Sequence, residues 1–270
     1  ADQTKCLRSF CSAAIKNIVL TAEHYSLIGR AVRELYENCF SQKKINTQPT
    51  LKYVREIMKR YMDEASSSED ADLARKLYHS LEEYTEGSFD LFAHESNVDI
   101  NNRFVVFGLA KVPQELWEPV MITIMHFLSN RMEYNRKLQK PTRLIIDETQ
   151  EVCRNQLSAE MLLHSVRTFR KFGGVVTMML QNLTSILENP ELRDMFSNCG
   201  YKYFLDQGGV DAEALRSIQE LSNVEFESLC EDGPGCGVLV WGKKVILLDS
   251  VMSKDNPLYE RLSTNFHEKE

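Results

Sequence analysis

The chain has 270 residues, 43% of them hydrophobic and 26% charged. That is enough apolar content for one large core or two modest ones, and it excludes a compositionally disordered protein. The net charge of −7 leans against a protein coated in nucleic acid, although a local basic patch is compatible with it. The longest apolar stretch, Val120 to Leu128, is broken by Thr123 and His126 and falls short of the roughly 20 residues of a membrane span.

Residues 1–87 read as helices only. Cys6, Leu7, Phe10, Cys11, Ala14, Ile15 and Ile18 recur every three or four positions, as do Tyr25, Ile28, Val32 and Leu35. Pro49 introduces a third helix carrying Leu51, Val54, Ile57, Met58 and Tyr61. A polar loop, Ser66 to Asp70, precedes a fourth with Leu73, Leu77, Leu81 and Tyr84. Glu82, Glu83 and Glu86 read as a solvated helix face. The polar start, Ala1 to Lys5, has no signal-peptide character. Seven scattered cysteines (Cys6, Cys11, Cys39, Cys153, Cys199, Cys230 and Cys236) include no C-x-x-C pair. They predict reduced thiols in a cytoplasmic setting and no zinc site.

From Gly87 the texture changes, which predicts an all-helical subdomain over 1–87 and an α/β domain over 88–270. Phe104-Val105-Val106-Phe107 reads as a buried strand. Pro113 to about Leu138 reads as a long buried helix. Strands are expected near 143–147, 175–181 and 201–206, separated by helices, which implies a largely parallel sheet. Gly237–Trp241, a turn at Gly242-Lys243, and Lys244–Val251 read as a closing β-hairpin.

The densest chemistry lies in 142–182. Leu144-Ile145-Ile146 ends in Asp147-Glu148, where an open α/β sheet binds its ligands. An aspartate there can hold a nucleotide's Mg²⁺ through water, and a glutamate can deprotonate the attacking water. A plain acidic strand end followed by a helix is the alternative. Arg167, Arg170 and Lys171 close the next helix before Gly173-Gly174. They can reach a γ-phosphate as an arginine finger, or simply complement the helix dipole ahead of a glycine cap. Gln181-Asn182 ends the next strand, as a γ-phosphate sensor that donates and accepts or as a turn. Gly233-Pro234-Gly235-Cys236-Gly237 is expected to be a turn, and Trp117, Trp241, His126 and His164 to be packing residues. The phosphate-loop motif G-x-x-x-x-G-K-[ST] does not occur.

Together these segments resemble the conjugation ATPases of type IV secretion systems, the "VirB four" or TraC/TraE-like family in the HerA/FtsK class of RecA-like motors. The resemblance rests on Thr85-Glu86-Gly87-Ser88-Phe89, Asn97 to Arg103, Ile145-Ile146-Asp147-Glu148 and Phe169-Arg170-Lys171-Phe172-Gly173-Gly174. Gln181-Asn182, Gly235 to Leu239 and Pro257-Leu258-Tyr259 also fit. The sequence departs in Leu180, where a threonine is common, and in Thr149-Gln150, where an aromatic or small residue is usual.

The resemblance implies a RecA-like P-loop NTPase core with an all-α insertion over 1–87, and a phosphate loop upstream of Ala1. Carried over, Asp147 and Glu148 are the Walker B pair, Arg170 the finger and Gln181 the sensor, with Arg167 and Lys171 as further phosphate contacts. ATP and Mg²⁺ are the implied cofactors. The implied assembly is a homo-oligomeric ring, a hexamer, with other secretion components, peripheral at the inner face of the cell membrane. A DNA translocase or coupling protein and a non-hydrolysing scaffold subunit are the alternatives. The 270 residues by themselves are expected to be inactive for want of a phosphate cradle.

Overall fold

The computed structural model of the chain describes residues 2–41, 49–97, 99, 102–206, 210–231 and 235–259. Of the segments singled out above, Val98, Ile100, Asn101, Gly233 and Pro234 lie outside the described residues. Contacts divide the chain into two units, Ala1–Pro141 and Thr142–Glu270.

The first unit is helical: α1 (Asp2–Ala14), α2 (Ala22–Ser41), α3 (Leu51–Asp63), α4 (Ser68–Ser80) and α5 (Trp117–Lys137). The apolar periodicities of the sequence become its core, with Cys11, Ile28, Ala31, Met58, Ala74 and Leu77 fully buried. Three of the five residues of the supposed loop at Ser66–Asp70 are helix. Ser67 caps α4 by accepting the Asp70 N–H at 3.1 Å, and Glu69 and Asp70 sit in the first turn, where the helix dipole favours acids. The division falls beyond the change of texture at Gly87 because α1 packs along α5, with Lys16 Nζ 3.3 Å from Glu118.

Two of the three glutamates read as a solvated face are engaged. Arg55, itself buried, lies over the Tyr78 ring and reaches Glu86 at 2.9 Å and Glu82 at 3.6 Å. The turns at 81–87 close tightly. A Cβ on Gly87 would lie 2.7 Å from the Glu83 Cα, so this motif position admits only glycine. The strand expected at Phe104–Phe107 is absent. Those residues have no regular structure, and Phe104 and Val106 are 74% and 72% exposed. Strand residues need a partner edge, and none of the described strands supplies one here.

The second unit contains β1 (Thr142–Ile146), α6 (Thr149–Val152), α7 (Gln156–Phe169), β2 (Gly174–Met178), α8 (Thr184–Glu188) and α9 (Pro190–Asn198). It continues with β3 (Tyr201–Leu205), α10 (Val210–Ile218), α11 (Asn223–Glu231), β4 (Cys236–Trp241) and β5 (Lys244–Asp249). β1 and β2 pair in parallel, from Thr142 opposite Gly174 to Ile146 opposite Met178, with α7 as the crossover packed on β2. The β-α-β reading puts β3 in that same sheet. It is instead hydrogen-bonded antiparallel to β4 of the hairpin, giving a three-stranded sheet β3-β4-β5. The hairpin turns at Gly242-Lys243 with Gly242 at φ 60°, as a two-residue loop requires. One face of this sheet, through Phe204, Val238 and Val240, covers a core shared with Leu183 and Ile186 near α8, Ala214 and Leu215 of α10, and Leu229 of α11. The expected α/β class is present as a helix-rich fold with a parallel pair and a C-terminal hairpin.

Candidate functional site

Two groups of predicted residues gather at opposite ends of the β1–β2 pair. At the carboxyl end, the β1 ladder is prolonged past Ile146. Its carbonyl accepts the Met179 N–H at 2.9 Å, and the Thr149 N–H in turn donates to the Met179 carbonyl at 2.9 Å. Thr149 is fully buried, and its hydroxyl donates to the Ile146 carbonyl at 3.2 Å. Between these anchors the chain must turn sharply. Glu148 takes up the turn in the left-handed region (φ 47°, ψ 50°), a conformation that costs a non-glycine residue about 1–2 kcal/mol. Its N–H donates to Asp147 Oδ1 at 3.0 Å. Its side chain stands exposed beyond the sheet and accepts a 2.6 Å hydrogen bond from Gln181 Nε2.

The amide pair at the end of β2 is thereby divided. Gln181 serves the glutamate. Asn182 turns inward, its Oδ1 accepting from the backbone N–H of Ser185 at 3.2 Å and from the Ser185 hydroxyl. The turn reading describes Asn182, and Gln181 is bonded to Glu148.

The cations lie elsewhere. Arg170 and Lys171 occupy a single 3-10 turn, Arg170–Phe172, closed by Gly173 in the left-handed region (φ 73°). The Gly173 carbonyl accepts the Thr142 N–H at 3.2 Å, so this turn adjoins the amino end of β1. Five strand residues at about 3.3 Å each separate the two ends by roughly 16 Å, more than an arginine side chain spans. Within one chain, Arg170 therefore does not meet Glu148. Arg167 is engaged, its guanidinium 2.8 Å from Asp194 of α9.

Oxygen donors at a strand end suit Mg²⁺, which takes one or two carboxylates and completes its shell with waters and phosphates. Among the described residues no cluster of three or more metal-ligating side chains occurs. The phosphate half does not fit. The nearest sequence to a phosphate loop, Gly237 to Lys243, is followed by Lys244 instead of serine or threonine. It runs along β4 into the hairpin turn, whereas a cradle lies between a strand and a helix N-terminus. Cys153, at the end of α6, is no nucleophile: burial, then the nearby Glu191, pushes its thiol up to about 12.

Sequence reading missed two residues that hold this end together. Thr149 looked like a mere departure from the family pattern. Asp211 belongs to none of the motifs singled out, yet it accepts backbone N–H groups just after Gln181.

No curated protein matches the chain. Among solved structures, it is similar to VirB4 of Thermoanaerobacter pseudethanolicus, with a TM-score of 0.67 and 22% identity over 93% of this chain and 69% of that one. It is also similar to the bacterial conjugative coupling protein TrwBdeltaN70 in its trigonal form with sulphate, with a TM-score of 0.51 and 12% identity over 94% and 70% of the two chains. At these identities the likeness is one of fold, and it agrees with the RecA-like P-loop class drawn from the motifs. The profile described as the TraG P-loop domain matches residues 14–226, well over half the chain and including both ends of the β1–β2 pair. The chain belongs to the family of TraG P-loop domains.

Proposed function

We propose that this chain is the catalytic portion of an ATP-hydrolysing motor in a conjugative type IV secretion system. The observation that carries the reading is the hydrogen bond from Gln181 to Glu148, with Glu148 held in a strained turn where two parallel strands end. Non-glycine residues in such conformations concentrate at functional sites. A VirB4 and a conjugative coupling protein share the fold, which supports the secretion setting.

In this reading Asp147 would hold Mg²⁺, and Glu148 would take the proton of the attacking water. Gln181 fixes the carboxylate and donates toward the γ-phosphate region. Bound MgATP would supply the phosphoryl group and its charge neutralisation. Arg170, with Lys171 beside it, acts on the site of a neighbouring subunit in a ring, read here as a hexamer, since the two ends of the sheet cannot meet within one chain. Arg167 is paired with Asp194 of α9 and is given no part in the chemistry. Attachment at the inner face of the membrane comes through other secretion components; no described helix is long and apolar enough to cross a membrane.

Phosphate release by the complete reading frame, set beside release by the 270 residues alone, tests the proposal. Turnover by the first and none by the second is expected. An inactive complete frame that nonetheless assembles would overturn the motor in favour of a scaffold. Turnover stimulated by DNA and falling steeply with salt would favour a translocase.

A further inference from the structure

Gln181 can hold Glu148 only if its own backbone is fixed, and that fixing comes from a distant element. The Asp211 carboxylate, in the first turn of α10, accepts the Leu183 N–H at 2.8 Å and the Thr184 N–H at 3.3 Å through the same oxygen. These are donors that the start of α8 leaves open, since α8 has no side-chain cap of its own at Leu183. The apolar contacts agree. Leu183 is buried in one core with Ala214 and Leu215, on the next turn of α10, and Leu180 packs against that core from the other side of Gln181. Gln181 thus projects from a short loop pinned before it by Leu180 and after it by Asp211.

We infer that Asp211 is a positioning residue for hydrolysis, acting on Glu148 through the Gln181 loop; this rests on the reading of the site given above. Asp211 touches neither Glu148 nor Gln181, so its effect must pass through the 181–184 backbone. Because α10 follows β3 in the chain and packs under the three-stranded sheet, this contact ties the antiparallel half of the unit to the chemistry at the end of the parallel half. The energetic link predicted is a coupling between residues 211 and 181, absent when either is removed.

A double-mutant cycle in the complete reading frame tests this, reading single-turnover ATP hydrolysis and the affinity for a fluorescent ATP analogue separately. Residues that orient a site from behind typically contribute tenfold or more, so Asp211→Ala should lower the hydrolysis rate about tenfold. Nucleotide affinity should stay within about twofold, because a contact acting only on the reacting geometry leaves ground-state binding intact. Asp211→Asn, which keeps the accepting Oδ1, should restore most of the rate. In a Gln181→Ala background, Asp211→Ala should cost less than about twofold. If the alanine variant does not fold, Asp211→Glu, which displaces the carboxylate by one methylene, runs the same cycle. An equal loss in both backgrounds, or no loss in either, overturns the inference. If Glu148→Gln and Gln181→Ala themselves leave hydrolysis untouched, the reading of the site has failed and the inference falls with it. If those two abolish it and Asp211→Ala does not matter, only the inference fails.

Discussion

Gln181 Nε2 lies 2.6 Å from Glu148 Oε1, joining the ends of two neighbouring parallel strands through their side chains. The bond spans 33 residues of sequence, and its acceptor stands on a strained backbone whose geometry is set by Thr149 and Met179. A carboxylate so placed keeps one oxygen for the amide and leaves the other for a water. Gln181→Ala should therefore lower hydrolysis by about 10²-fold, the scale of a lost preorganised donor. Nucleotide affinity should change little, as the amide is oriented toward the glutamate and the reacting end. Steady-state rates alongside equilibrium nucleotide binding separate the two effects, and a loss confined to affinity would contradict the assignment.

The separation of Arg170 from Glu148 along the sheet leads to a mixing experiment. Subunits carrying Arg170→Ala should be inactive as rings, by about 10³-fold or more if the guanidinium is a finger. Subunits carrying Glu148→Gln should also be inactive. Mixed in equal amounts before assembly, they should regain part of the wild-type rate, because some sites then combine an intact glutamate with a neighbour's intact arginine. A mixture as inactive as its components would show that the arginine does not act across subunits.

Arg167 is expected to behave differently. Its ion pair with Asp194 is exposed on both sides, at 52% and 56% of the side chains, and such pairs contribute about 0–1 kcal/mol. Arg167→Ala should lower the thermal midpoint slightly and leave the hydrolysis rate within about twofold, the ordinary consequence of a surface change away from the chemistry. A finger-sized loss of rate would instead place Arg167 at a phosphate.

His24 gives the helical unit an acid-sensitive contact. Its Nδ1 accepts the Thr21 N–H at 3.1 Å at the start of α2, which leaves the proton on Nε2. That atom is buried with no partner among the described residues. Burial, then the nearby Lys76, holds the imidazole below its ordinary pKa, against the opposing pull of Glu23 and Asp72. A lowered histidine pKa means the unfolded chain binds the proton more readily than the folded one. This contribution to stability is fully present above the unfolded value of about 6.5 and is lost as pH falls from there toward the folded value. Urea midpoints measured from pH 7.5 to 5 should fall less in His24→Asn than in the wild type; identical slopes would rule His24 out as the cause.

The sequence was most readable where one local pattern decided the structure. β1, β2 and β4 are short apolar runs rich in branched residues, and each formed within two residues of its expected start. The helices of the first unit followed their apolar spacing, and the crossover helix formed between Asp147-Glu148 and Gln181 as the order of the segments implied. What stayed hidden depended on distant partners. Phe104–Phe107 has strand chemistry but no described edge to pair with. β3 has the same chemistry and joined the hairpin, because pairing is settled by which edge is adjacent in space. Arg55 looks like a surface residue within an amphipathic pattern, and its burial is made tolerable by Tyr78, Glu82 and Glu86 from another segment. The left-handed backbone of Glu148 and the reach of Asp211 to Leu183 likewise have no local signature.

The most direct measurement is hydrolysis by the Glu148→Gln variant of the complete reading frame, with nucleotide binding followed in the same preparation. If Glu148 is the general base, turnover should fall by about 10²–10⁴-fold while nucleotide still binds at close to wild-type affinity. Wild-type turnover in that variant would contradict the account.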